Sequence, residues 1–143
     1  MRHIYIMILS LLVIAVSAFI IKKEYSWKTV ESKGDAHARH ENAFVECDGK
    51  FYLLGGRGIK PVDIFDPTSN SWTQGAAPPV EIHHFQAVSY KGKVLLPGAM
   101  TGKYPDEKPL PNMYVYDPAY DMWTIGPEVP ENRRRGSAGS VVI

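Results

Sequence analysis

Two stretches of this chain occur twice, in the same order, and that repetition limits the fold more than any composition does. FVECDGKFYLLGG, from Phe44, aligns with AVSYKGKVLLPGA, from Ala87, at an offset of 43 residues, with Gly49 over Gly92 and Lys50 over Lys93. VDIFDPTSNSWTQG, from Val62, aligns with MYVYDPAYDMWTIG, from Met113, at an offset of 51, with Asp66, Pro67 and Trp72 over Asp117, Pro118 and Trp123. The eight extra residues lie in the loop between the two stretches, RGIKP in one copy and MTGKYPDEKPLPN in the other. One loop has grown while the strands are expected to keep their lengths. A period of this size marks a structural unit that buries its faces against neighbouring copies of itself.

Each copy reads as four strands. An apolar run meets a two-residue turn, Asp48-Gly49 in the first copy, where Gly accepts a positive φ without a Cβ clash and so favours a type I′ hairpin. A second apolar run, a loop and a third strand ending in Asp-Pro follow. Proline sets φ there, and the aspartate can accept hydrogen bonds from the amides beyond it. The final strand, SWTQG in the first copy, is more polar than AFVEC or FYLLG and belongs at a sheet edge. Eleven prolines, twelve glycines and sixteen aromatic residues suit short strands and turns. The expected class is all-β. The glycine-rich run Gly55-Gly56-Arg57-Gly58 is not a phosphate loop, because IKPVDIFDP follows it and cannot open the helix whose amides would hold the anion.

These residues resemble the kelch motif, one blade of a β-propeller. The turn glycine, the apolar strand, the double glycine (Gly55-Gly56, with Gly98-Ala99 in the second copy) and an aromatic residue seven before a tryptophan (Phe65 with Trp72, Tyr116 with Trp123) keep order and spacing together over about residues 25–143. Gly49, Gly55, Gly56, Trp72, Gly92, Gly98 and Trp123 are accordingly read as structural. The resemblance implies a kelch-type propeller fragment of about two four-stranded blades plus partial ones, after an N-terminal hydrophobic helix. The blades are placed at 39–79 and 80–130, with a further blade beginning at 131–143. Residues 24–38 are assigned to an outer closing strand and linker, because Ser26-Trp27-Lys28-Thr29 is similar to Ser71-Trp72-Thr73. Missing neighbours would leave strand edges in water, so self-association or marginal stability is expected, and a truncated product is expected over a functional half-ring.

Residues 4–21, IYIMILSLLVIAVSAFII, carry no charge and are followed by Lys22 and Lys23. Residues 1–23 therefore read as a signal peptide or a membrane anchor, which places the remainder outside the cytoplasm, in a periplasmic, extracellular or membrane-anchored setting. A formal net charge of +1 gives no broad pull on nucleic acid, and the short run Arg133–Arg135 is too small a footprint to change that. A single cysteine, Cys47, excludes an intrachain disulfide and is read as a buried strand residue.

Antiparallel strands send the tight hairpins at Gly49, Asn70, Gly92 and Tyr120 to one face and the longer loops to the other. The loop face collects Arg39, His40, Glu41, Arg57, His83, His84, Arg133, Arg134 and Arg135, a candidate rim whose guanidinium and imidazole groups suit a carboxylate. The resemblance implies an arginine eight residues before each turn glycine, and Glu41 and His84 stand there instead. No metal is expected, because adjacent His83 and His84 on an extended segment would point opposite ways; no cofactor and no catalytic residue are assigned. The leading functional reading is an exported binding module that presents its loops to a glycan, a small anionic ligand or a protein. The alternatives are part of a sugar-active kelch enzyme, similar to galactose oxidases, whose copper-binding set no residue here matches, or to sialic-acid mutarotases, with a basic rim of Arg39, Glu41, His84 and Arg134, or a nonfunctional truncated product.

Overall fold

A computed structural model describes residues 25–143. The N-terminal helix assigned to 1–23 lies outside the described residues. Two units divide the chain, Met1–Val30 and Glu31–Ile143. In the first, residues 25–30 carry neither strand nor helix, and Tyr25, Trp27 and Val30 are exposed. Among the described residues no helix is long and apolar enough to cross a membrane.

The second unit holds two four-stranded antiparallel sheets, one for each sequence copy. The first is a meander of β1 (Asn42–Cys47), β2 (Lys50–Gly55), β3 (Val62–Asp66) and β4 (Ser71–Gly75). The second pairs β5 (Val88–Tyr90), β6 (Lys93–Leu96), β9 (Asn112–Asp117) and β10 (Met122–Glu128) in that same order. The turn chemistry follows the sequence. Asp48 and Gly49 have φ of 49° and 79°, both left-handed as a type I′ turn demands. The Asp66 carboxylate accepts the amide of Thr68 at 2.8 Å, and that of Asp117 accepts the amide of Ala119 at 3.1 Å. In both copies the aromatic residue faces its tryptophan across the hairpin, Phe65 opposite Trp72 and Tyr116 opposite Trp123, with ring centroids 5.1 and 5.2 Å apart.

Two expectations change, and the grown loop holds structure of its own. The strands did not all keep their lengths: β5 and β6 have three and four residues where β1 and β2 have six. Pro97, which has no amide hydrogen for the ladder, follows the last residue of β6. The grown loop is not irregular throughout, for it contains a small hairpin of β7 (Met100–Thr101) and β8 (Lys108–Pro109). The stretch assigned to an outer strand forms none among the described residues 25–38. Lys33 instead makes an isolated parallel bridge to Ser71 on β4.

The sheets share one core. Leu54, Val94, Leu96, Ile82, Cys47 and Tyr116 are fully buried, and burying each large aliphatic side chain contributes about 1.5–3 kcal/mol. Polar contacts lock one sheet to the next. The amide of Gly56 donates to the carbonyl of Ile82 at 2.8 Å, and the amide of Ala76 donates to the Asp121 carboxylate at 2.6 Å. A Cβ on Gly55 would lie 2.6 Å from the Ile82 carbonyl oxygen and from the ring of Phe85. The double glycine is therefore where the backbone of one sheet is pressed against the entrance to the next.

Candidate functional site at the loop face

The site begins with the residues that open the innermost strands. Glu41, His84 and Ser137 occupy equivalent places, each eight residues before a turn glycine in the two full copies and at the start of GSAGSVVI in the third. All three are left-handed, with φ of 59°, 52° and 55°. The amide of His84 donates to the Glu41 carbonyl at 3.0 Å, and the amide of Ser137 donates to the His84 carbonyl at 2.7 Å. Left-handed backbone costs a non-glycine residue about 1–2 kcal/mol, which this relay of amide to carbonyl offsets by tying each entrance to its neighbour.

That backbone geometry corrects the reading of the paired histidines. On an extended segment the rings of His83 and His84 would diverge, but the left-handed φ of His84 breaks the alternation, and the two Nδ1 atoms meet at 2.8 Å. His83 is fully buried, held in a backbone bridge to Met100, and its Nε2 lies 3.0 Å from the carbonyl oxygen of Gly102. Around this pair stand Glu41, whose Oε2 is 3.3 Å from His84 Nδ1 and 3.9 Å from His83 Nδ1, and Glu107, whose Oε1 is 4.0 Å from His84 Nδ1. Glu81 Oε1 lies 3.8 Å from His83 Nε2.

Arg57 stands in the middle of the cluster. Its guanidinium pairs with Glu41 and Glu107 and donates to the Gly102 carbonyl at 2.7 Å. The bond to Glu107, and then that to Glu41, hold the guanidinium firmly charged against the effect of burial. Burial pushes the Glu41 carboxyl up, while the Arg57 hydrogen bond and the charges of His84, Arg57 and His40 outweigh it and hold the group below its ordinary value. Beside His84 lies an open depression of about 390 Å³ lined by His84, Phe85, Gln86, Ser137, Ala138 and Gly139.

The remaining rim residues divide. His40 is exposed and sits 3.5 Å from Glu41. Arg133 and Arg135 are exposed, and Arg134 is tied down by Glu128 Oε1 at 2.7 Å and by the Val129 carbonyl at 3.1 Å. Arg39 is not on the rim. Its side chain is 1% exposed, pairs with the buried Asp63 and donates to the carbonyls of Gly55 and Pro61 at 3.1 and 2.9 Å. His37 completes this clasp, its Nδ1 2.8 Å from Asp63 Oδ1. A sugar-active arrangement built on Arg39, Glu41, His84 and Arg134 therefore lacks its first member at any surface.

Similarity to known proteins points the same way as the sheets. No protein-family model matches the chain. It is 29% identical over 141 residues to Kelch-like protein terF of Aspergillus terreus, a match covering 82% of this chain and 28% of that protein. To Kelch repeat and BTB domain-containing protein 8 it is 28% identical over 102 residues in Danio rerio and 31% over 87 in Homo sapiens, covering 66% and 55% of this chain. Successive repeats folding into successive four-stranded antiparallel sheets decide the matter. This is a kelch-repeat protein. It spans 28% of the length of the Aspergillus relative and 15% and 13% of the other two.

Within the kelch repeats, the position eight before the turn glycine was legible as a site position, and Glu41 and His84 occupy it. Glu107 and Glu81 were missed. Glu107 follows the short hairpin turn of the grown loop, and nothing in its local sequence announces that the hairpin folds back onto Arg57. His37 and Asp63 were missed because their pairing spans 26 residues.

Proposed function

We propose that the kelch loop face docks a protein partner carrying a carboxylate-bearing segment. The observation that carries this reading is the relay Glu41–His84–Ser137, a rigid base around which the loops present exposed groups. Ile59 and Tyr104 are exposed apolar residues in those loops, and His40, Arg133 and Arg135 are exposed donors. A rigid scaffold, an aromatic anchor and flanking guanidinium groups are the usual makings of a protein docking site. The kelch relatives support the reading at the level of the module. Export or anchoring by residues 1–23 belongs to the same proposal, and a topology reporter fused to the full chain tests it.

The test is affinity capture with the full chain and two variants. A partner retained by Tyr120→Ala, on the tight-hairpin face, and lost by the double variant Tyr104→Ala, Arg135→Glu carries the proposal. Equal loss in both variants, or recovery of glycans without protein, overturns it.

A further inference from the structure

We propose that Glu41, His83 and His84 form a binding site for a divalent transition-metal cation of the zinc class. The geometry is that of a coordination triangle. His83 Nδ1, His84 Nδ1 and Glu41 Oε2 are separated by 2.8, 3.3 and 3.9 Å. A point in their plane lies about 2.0 Å from all three, which is the length of a zinc bond to nitrogen or carboxylate oxygen. Glu107 supplies a fourth oxygen, and all four ligand atoms fall within 4.8 Å of one another.

The chemistry of each donor agrees. His83 Nε2 lies 3.0 Å from the Gly102 carbonyl oxygen and 3.3 Å from Arg57 Nη1; in the tautomer that donates to the carbonyl, Nδ1 holds a lone pair, and a backbone carbonyl on the far nitrogen is the usual orienting contact of a metal-bound imidazole. In the metal-free protein the short Nδ1 to Nδ1 approach needs one proton between the two rings, which His84 supplies in the tautomer that leaves the His83 Nδ1 lone pair free. The cation takes the place of that proton, and His84 then carries its ring hydrogen on Nε2. Glu41 presents its carboxylate to the site in an ion pair with Arg57. Arg57 also occupies Glu41 Oε2, but a carboxylate oxygen that accepts one hydrogen bond still offers a second lone pair.

Charge and backbone complete the case. Three carboxylates, Glu41, Glu81 and Glu107, stand around the two imidazoles with one guanidinium, Arg57, among them. The ligands do not need to be gathered, since His83 is fixed by its bridge to Met100 and His84 by its amide bond to the Glu41 carbonyl. The open depression adjoins the site at His84. The site joins the entrance to β1, the segment before β5 and the turn of the hairpin β7–β8, so the cation would cross-link the loop face whatever docks there.

Titration of the untagged, chelator-stripped full chain with Zn²⁺ alone, followed by calorimetry, tests this, with Co²⁺ as a spectroscopic probe of mixed nitrogen and oxygen coordination. The expected result is one Zn²⁺ per chain. Glu41→Gln and His84→Ala should each weaken it on the order of 100-fold or more, while Tyr120→Ala, on the tight-hairpin face, leaves it unchanged. His83 is avoided because a buried substitution can unfold the chain; circular dichroism confirms that the two partly exposed variants fold. Absence of stoichiometric Zn²⁺ binding, or binding that survives both folded variants, overturns the proposal. Capture of a protein partner in the presence of chelator is unaffected by either outcome, which keeps this inference separate from the docking reading.

Discussion

The indole Nε1 of Trp123 donates to the carbonyl oxygen of Ala76 at 2.9 Å, joining the outer strand of the second sheet to the segment leaving the first. Trp72 holds the equivalent place one repeat earlier, and among the described residues its indole has no such partner. Both tryptophans pack on the aromatic residue across their hairpin; Trp72 also meets the ring of Phe44, and Trp123 has the hydrogen bond instead. Trp123→Phe should cost about 1 kcal/mol more than Trp72→Phe, because it leaves the Ala76 carbonyl unpaired. Urea denaturation of the two variants side by side measures the difference.

The clasp of Arg39, Asp63 and His37 gives a second expectation. Asp63 is fully buried, so removing its guanidinium partner leaves an interior carboxylate held only by the His37 amide and imidazole. Arg39→Ala should destabilise the fold by about 3–5 kcal/mol, whereas an exposed rim arginine such as Arg135→Ala should change stability by about 0.5 kcal/mol or less. The shift in chemical denaturation midpoint separates the two roles that the sequence had assigned to both residues alike.

Gly49 and Gly55 both have left-handed φ, but only one is crowded. A Cβ on Gly49 meets nothing within 4 Å, while one on Gly55 meets the Ile82 carbonyl and Phe85 at 2.6 Å. Gly49→Ala should cost about 1–2 kcal/mol from backbone conformation alone. Gly55→Ala should cost about 1–3 kcal/mol beyond that, because overpacking adds to it. Equal losses in thermal melts would mean that the sheets are not pressed together at Gly55.

Alkaline pH should loosen the core through Tyr116. Burial, followed by the hydrogen bond to Asp121, pushes its phenol far above the ordinary 10.0. Above that ordinary value the unfolded chain releases the proton and the native state keeps it. The stabilisation is complete below pH 10 and falls by up to about 1.4 kcal/mol per pH unit above it. Tyr116→Phe should flatten this limb by one proton between about pH 9 and 11, leaving the smaller contributions of Tyr52 and Cys47, which burial also raises. Proton release on unfolding, followed by ultraviolet titration, checks the sign.

Acid acts at the opposite end through the Asp-Pro corners. The Lys93 hydrogen bond is the largest influence on Asp117, and together with the amide of Ala119 it outweighs burial and lowers the carboxyl below its ordinary 3.8. At Asp66 the amide of Thr68 leads. Their stabilisation is present above the ordinary carboxylate value and is lost as pH falls through the lowered ones. Lys50 also stands 3.5 Å from Asp66, so each corner pairs its carboxylate with an amide and a lysine; Asp117→Asn and Asp66→Asn should each flatten the acid limb, and combining them should flatten it further, which pH-jump fluorescence reads.

How far the sequence carries can be judged residue by residue. Asp48-Gly49 and Asp66-Pro67 encode their turns within two residues, so both sheets and their strand order could be read directly. His83 and His84 were misread because one positive φ at His84 reverses a side chain, and that φ is imposed by the neighbouring entrance at Glu41 and Ser137 rather than by the local sequence. Arg39 looked like a rim residue because its charge suggested water, while its partner Asp63 is 24 positions away. The hairpin in the grown loop escaped because each of its strands has two residues, one of them Pro109.

That loop also has a longer-term meaning. Val94, Leu95 and Leu96 pair with Tyr116, Val115 and Tyr114, and this zipper is set by residues on either side of the insertion. Drift or lengthening between Pro97 and Pro111 thus leaves the scaffold upright while it reshapes the mouth, so evolution can retune recognition here without renegotiating the architecture beneath it.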